Sequence, residues 1–118
     1  MKIKLNNEDF YIYDTIIPNH KSSINGMLAH RISLRKFVNG KMKSISIIKT
    51  LPNGETHSKY ELIAILKDYL NSIHYILENR EMLAVKLNKE HVIALERYNG
   101  LFDINPKDLL TELNLKYK

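Results

Sequence analysis

The chain has 118 residues, 44% of them apolar, and no cysteine, which suits one domain with a core of its own and excludes disulfides, thiolate metal sites and cysteine nucleophiles. Its formal net charge of +5 is unevenly placed: no acidic residue falls between Asp14 and Glu55, while Lys21, Arg31, Arg35, Lys36, Lys41, Lys43 and Lys49 do. From Glu81 onward six basic residues face six acidic ones, so a polyanionic partner would meet the first half of the chain.

In chain order, Ile3 and Leu5 alternate with lysines, and after Asn6-Asn7 the run Phe10-Tyr11-Ile12-Tyr13 resumes with residues that favour strands, which predicts an N-terminal hairpin. Pro18 to Gly26 is rich in turn residues and reads as an exposed loop. Asn39-Gly40 then separates two alternating segments. A two-residue type I′ turn needs positive φ at both centres, and Asn-Gly accepts this most cheaply. Pairing Val38 with Lys41 sets Leu34 opposite Ile45 and Ile32 opposite Ile47 on one face, and leaves Arg31, Ser33, Arg35 and Phe37 beside Met42, Ser44, Ser46 and Ile48 on the other.

After a turn at Pro52-Asn53-Gly54, Glu55 to His57 could add a short strand. Ser58-Lys59-Tyr60-Glu61 has the form of a capping box and predicts a helix start. Leu62, Ile63, Leu66, Leu70, Ile73 and Leu77 recur at three- and four-residue steps, giving an apolar stripe, and Asn79 offers a stop. Met82 to Leu87 reads as a short strand. Asn88 caps a second helix through about Tyr98, ended by Asn99-Gly100 as a left-handed cap, and Asn105-Pro106 opens a third with Leu109, Leu110, Leu113 and Tyr117 on its buried side.

The fold expected is therefore α+β: an antiparallel sheet of four or five strands, a long packing helix and a C-terminal helical pair. All of it forms a single domain over 1–118, with the sheet and long helix in 1–80 and a strand-helix-helix extension in 81–118. No run approaches the roughly 20 apolar residues of a membrane span, and Met1 to Asp9 lacks the apolar stretch of a signal peptide. The expectation is a cytoplasmic protein without a membrane partner. The helix stripe and the strand edges favour a homodimer.

Catalytic signatures are lacking. The histidines His20, His30, His57, His74 and His91 include no His-x-His or His-x-x-x-His pair, so a zinc site would have to be assembled through space. Glu8, Asp9 and Asp14 flank a tyrosine-rich strand and could in principle hold magnesium, although acidic residues at turns are common. The glycines Gly26, Gly40, Gly54 and Gly100 sit at turns or caps, not in a phosphate-cradling loop. The reading is a protein with no catalytic residue, no metal and no cofactor.

What remains is the cationic ribbon. Arg31, Arg35, Lys36, Lys41, Lys43 and Lys49 could track phosphates while a base stacks on Phe37, the way single strands are held. The same pattern also fits a sheet with one wet face, on which Phe37 merely covers Met42. The stretch from about Ala29 to Asn79, with Arg31-Ile32-Ser33-Leu34-Arg35-Lys36-Phe37 and Asn39-Gly40-Lys41 in the place of a basic strand and turn, resembles the positive-cofactor-four-like single-stranded-DNA binders. The resemblance implies a curved antiparallel sheet, a dimerising helix and a nucleic-acid ligand, single-stranded DNA or RNA. Met82 to Lys118 is similar to a ribbon-helix-helix repressor module, but Lys86 alone in Met82-Leu83-Ala84-Val85-Lys86-Leu87 could read a base, which favours a plain sheet strand with two packing helices. Another possible role is a protein inhibitor or accessory factor, of the kind phages and other mobile elements encode, that sets the same basic patch against an acidic protein partner.

Overall fold

The computed structural model describes residues 1–20, 23–82 and 88–117. Four strands, β1 (Lys2–Leu5), β2 (Glu8–Ile17), β3 (Met27–Val38) and β4 (Lys41–Pro52), are followed by three helices, α1 (Lys59–Met82), α2 (Lys89–Leu101) and α3 (Pro106–Lys116). The sheet is antiparallel in the order β1-β2-β3-β4, so every strand pairs with its sequence neighbour and β1 and β4 are its edges. This is the expected α+β architecture with four strands.

Both tight hairpins follow from their turn residues. Asn6 and Asn7 have φ of 51° and 60°, and Asn39 and Gly40 have φ of 51° and 77°, the left-handed pair that a type I′ turn demands. With Val38 opposite Lys41, the register brings Leu34 to Ile45 and Ile32 to Ile47, as the alternation requires. Ile3, Leu5, Phe10, Ile12, Ile32, Leu34 and Ile45 are thereby gathered on one face and buried.

The described helices pack on that face. Ser58 Oγ accepts from Glu61 N at 3.2 Å and Glu61 Oε1 accepts from Ser58 N at 3.0 Å, a complete capping box that fixes where α1 begins. Leu62, Ile63, Leu66, Leu70 and Ile73 of its stripe join the sheet residues and Leu95, Tyr98, Leu101, Leu109 and Leu113 in one core. Each such side chain contributes about 1.5–3 kcal/mol on burial. Phe10 stacks on Phe102 at 4.7 Å, and Phe102 on Tyr98 at 5.3 Å, which ties β2 to the far end of α2. Asn88 and Asn105 cap α2 and α3 through their side chains, with Pro106 in the first turn. Because α1 buries its stripe inside its own chain, the stripe gives no reason for a second copy; β1 and β4 keep edges that no described strand pairs.

Three boundaries differ from the sequence reading. Glu55 to His57 is not a strand: β4 ends at Pro52, and the linker leads His57 to a partner on β2 instead. α1 runs past Asn79 to Met82, because the Asn79 amide donates back to the Tyr75 carbonyl of its own helix at 2.8 Å and does not cap it. α2 continues through Asn99-Gly100 to Leu101, with Phe102 as an extended C-cap. Continuation delivers Leu101 and Phe102 to the core, which outweighs the roughly 1 kcal/mol a helical glycine costs. Of the strand expected over Met82 to Leu87, Met82 belongs to α1 and 83–87 lie outside the described residues.

Candidate nucleic-acid interface

Alternation along the strands gives the sheet two faces with opposite surroundings. Paired residues share a face, so Tyr11, Arg35 and Ser44 form one row, Tyr13, Ser33 and Ser46 a second, and Thr15, Arg31 and Ile48 a third, with Phe37 beside Met42 at the hairpin tip. None of the described helices packs on these rows. Phe37 is 59% exposed, Tyr13 42%, and Met42 and Ile48 are exposed as well. Phe37 and Met42, paired in water at the tip of an otherwise polar surface, make the kind of exposed apolar contact that marks binding sites more often than chance positions do.

The side chains of this open face organise one another. Arg35 places its guanidinium 4.6 Å from the centre of the Tyr13 ring, and Tyr11 stacks on Tyr13 at 6.4 Å. A planar cation on an aromatic ring offers a base a second stacking surface. Among strand residues of this face the only carboxylate is that of Asp9, 3.4 Å from Lys2 at the β1 edge. Near it a depression of about 320 Å³ lies between Tyr11 and Phe37, bordered by Glu8, Asp9 and Lys36. Two carboxylates make that end unwelcoming to phosphate, whereas Arg31 and Arg35 are the cations of the centre.

The seven residues singled out by sequence divide between the two faces. Arg31, Arg35 and Phe37 stand on the open face. Lys36, Lys41, Lys43 and Lys49 point to the helix-covered side, at its rim, because they sit at the alternate positions of β3 and β4. Lys36 Nζ is 2.6 Å from Glu8 Oε2 and 5.4 Å from the centre of the Phe10 ring, with its side chain 15% exposed. Lys41, Lys43 and Lys49 remain exposed along the outer strand.

Beneath the opposite face a second polar cluster is assembled through space. His30 Nδ1 lies 2.7 Å from Asp14 Oδ1, and His57 Nδ1 lies 2.8 Å from Asp14 Oδ2, with His57 N donating to the same oxygen at 3.2 Å. An ionised carboxylate only accepts, so both imidazoles carry their proton on Nδ1. Burial opposes ionisation of Asp14, but the hydrogen bonds from His57 and His30 overcome it and hold the carboxyl below its ordinary range. Asp14, His30 and His57 are also the residues whose ligand atoms come within 4.8 Å of one another. Nitrogen and oxygen donors about 2.0–2.1 Å from one zinc ion would stand roughly 3.3 Å apart in a tetrahedron. The contacts of 2.7 and 2.8 Å are those of hydrogen bonds, one imidazole to each oxygen. The cluster clamps the linker before α1 onto β2 and β3. Burial pushes the Tyr69 and Tyr98 hydroxyls up, and the Tyr98 hydroxyl donates to the Ile104 carbonyl at 2.5 Å.

Comparison with known protein families, with curated proteins and with solved structures finds no match for the chain. A functional reading therefore rests on the side chains themselves. Tyr11 and Tyr13 belong to the open face, whereas the sequence marks them only as strand formers; the alternation of β2 places them there once its register to β3 is fixed. The Asp14 cluster had no local signal, since its members are 16 and 43 residues apart. The three acidic residues read together as a magnesium candidate are separated: Glu8 engages Lys36, Asp9 engages Lys2 and Asp14 the histidines.

Proposed function

We propose that the open face of the sheet binds single-stranded nucleic acid, DNA or RNA, without acting on it chemically. The observation that carries the reading is the grouping of Phe37, Tyr13 and Tyr11 with Arg31 and Arg35 on a face that no described helix covers. Bases stack on the aromatic rings and on the Arg35 plane, and phosphates meet the two guanidinium groups, so sequence preference is weak. The likeness of the basic strand and Asn-Gly turn to single-stranded-DNA binders points the same way.

Fluorescence anisotropy with random-sequence single strands tests it. Binding should weaken with salt, log affinity falling against log salt by about 0.7 for each phosphate contacted, and Phe37→Ala should cost about 1–3 kcal/mol of affinity. No binding at low salt sinks the proposal. Phe37 and Met42 form an exposed apolar pair at the hairpin tip that an acidic protein partner, such as the target of a mobile-element inhibitor, could cover equally well. Failure with oligonucleotides, together with loss of a host partner on Phe37→Ala, would put that second reading first.

A further inference from the structure

β4 is one of the two edge strands, and its side chains leave the sheet in both directions. Where α2 lies beside it, a groove of about 270 Å³ is lined by Lys43, Ser44, Glu96, Arg97, Gly100 and Leu101. Ser44, which follows Lys43 on β4 and belongs to the open face, also borders this groove, so the groove reaches the edge of the sheet. Lys43 and Arg97 are both exposed, and among the described residues neither has a carboxylate within ion-pairing distance. Glu96 is the single carboxylate of the lining, which leaves the groove one positive charge in excess.

Gly100 is the informative residue of the wall. It lies within α2 with no positive φ, so its backbone does not require glycine. A Cβ built on it would meet nothing within 4 Å, so packing does not require glycine either. Glycine is a poor helix former, and a position that holds one for neither reason fits a surface that a ligand approaches closely.

We propose that this groove takes one phosphodiester of the bound strand, held between Lys43 and Arg97 after the strand has turned over the edge of β4. The inference rests on the open face binding a single strand, and it extends the path onto the other side of the sheet. Lys43 then serves the same ligand as Arg31 and Arg35 from the opposite face, which alternation alone would forbid.

The experiment compares oligothymidylates of about 6 and about 16 nucleotides, the short one filling the open face alone. The double variant Lys43→Gln, Arg97→Gln should bind the short strand as the wild type does and the long strand about 10-fold more weakly, with the salt slope for the long strand lower by about 0.7. Gly100→Ala should raise the thermal midpoint and still weaken the long strand several-fold, a loss that unfolding cannot produce. If the wild type binds both lengths and these variants match it on both, the groove is no part of the path while the open-face reading stands. If the wild type binds neither length, both fall together.

Discussion

Leu34 and Arg35 are neighbours on β3, yet Leu34 is 2% exposed beneath the helices while Arg35 stands over Tyr13 on the side that no described helix reaches. The centre of the covered face is made of aliphatics and Phe10, with lysines and the Asp14 cluster at its rim, and is closed by the apolar sides of three helices. The open face is made of arginines, serines and aromatic rings and is closed by nothing described. Free energy is thus spent in different currencies on the two faces: burial fixes the fold on one, and the other leaves aromatic surface in water that a ligand can still bury.

Cutting one side chain on each face of the same strand separates the two roles most clearly. Leu34→Ala should lower the unfolding free energy in urea by about 2–5 kcal/mol, the ordinary cost of a large-to-small change in a core. Phe37→Ala should change it by less than about 0.5 kcal/mol. A Phe37 variant as damaging as the Leu34 variant would mean that the open face is covered in solution, by a second copy for example, and the distinction between faces would be lost.

Asp14→Ala should come next, at about 2–3 kcal/mol, because it strips two buried imidazoles of their acceptor and releases the linker before α1. Its pH dependence has a definite sign. The carboxyl is held below its ordinary value in the folded chain, so the stability it contributes is complete above the unfolded value of about 3.9 and is lost as pH falls through the lower, folded one. Urea titrations below about pH 4 should therefore show the wild type converging on Asp14→Ala. A gap that stays constant to the lowest pH would mean that the charge of Asp14 is not what holds the clamp.

How much of this was legible beforehand depends on whether the determining interaction is local. The β3-β4 register follows from Asn39-Gly40 and the alternation on either side of it, and the start of α1 follows from Ser58 and Glu61, all within a few residues. The end of α2 was misjudged because Asn99-Gly100 is a strong local stop that loses to the burial of Leu101 and Phe102 against distant partners such as Phe10. The site was half legible for the same reason. Charge counting gathers Arg31, Arg35 and the lysines into one patch, but alternation sends them to two faces, and only the register of β2 adds Tyr11 and Tyr13 to the arginines. Asp14, His30 and His57 meet through pairing of three separate segments, for which no spacing rule exists.

The smallest effect tests the division between faces most directly, because it compares adjacent residues of like charge. Arg35 belongs to the open face, whereas Lys36 lies against Phe10 and is 2.6 Å from Glu8 Oε2. Replacing either by Met keeps much of the apolar stem and removes the charge. Arg35→Met should lower the salt slope of single-strand binding by about 0.7, the share of one phosphate. Lys36→Met should leave that slope unchanged and cost no more than about 1 kcal/mol of stability, since its ion pair reaches the surface through a half-exposed glutamate. Equal losses of slope would place the strand against both faces of β3 near the tip, where Lys36 could reach a phosphate only by giving up Glu8; an unchanged slope for Arg35→Met would remove the guanidinium from the path altogether.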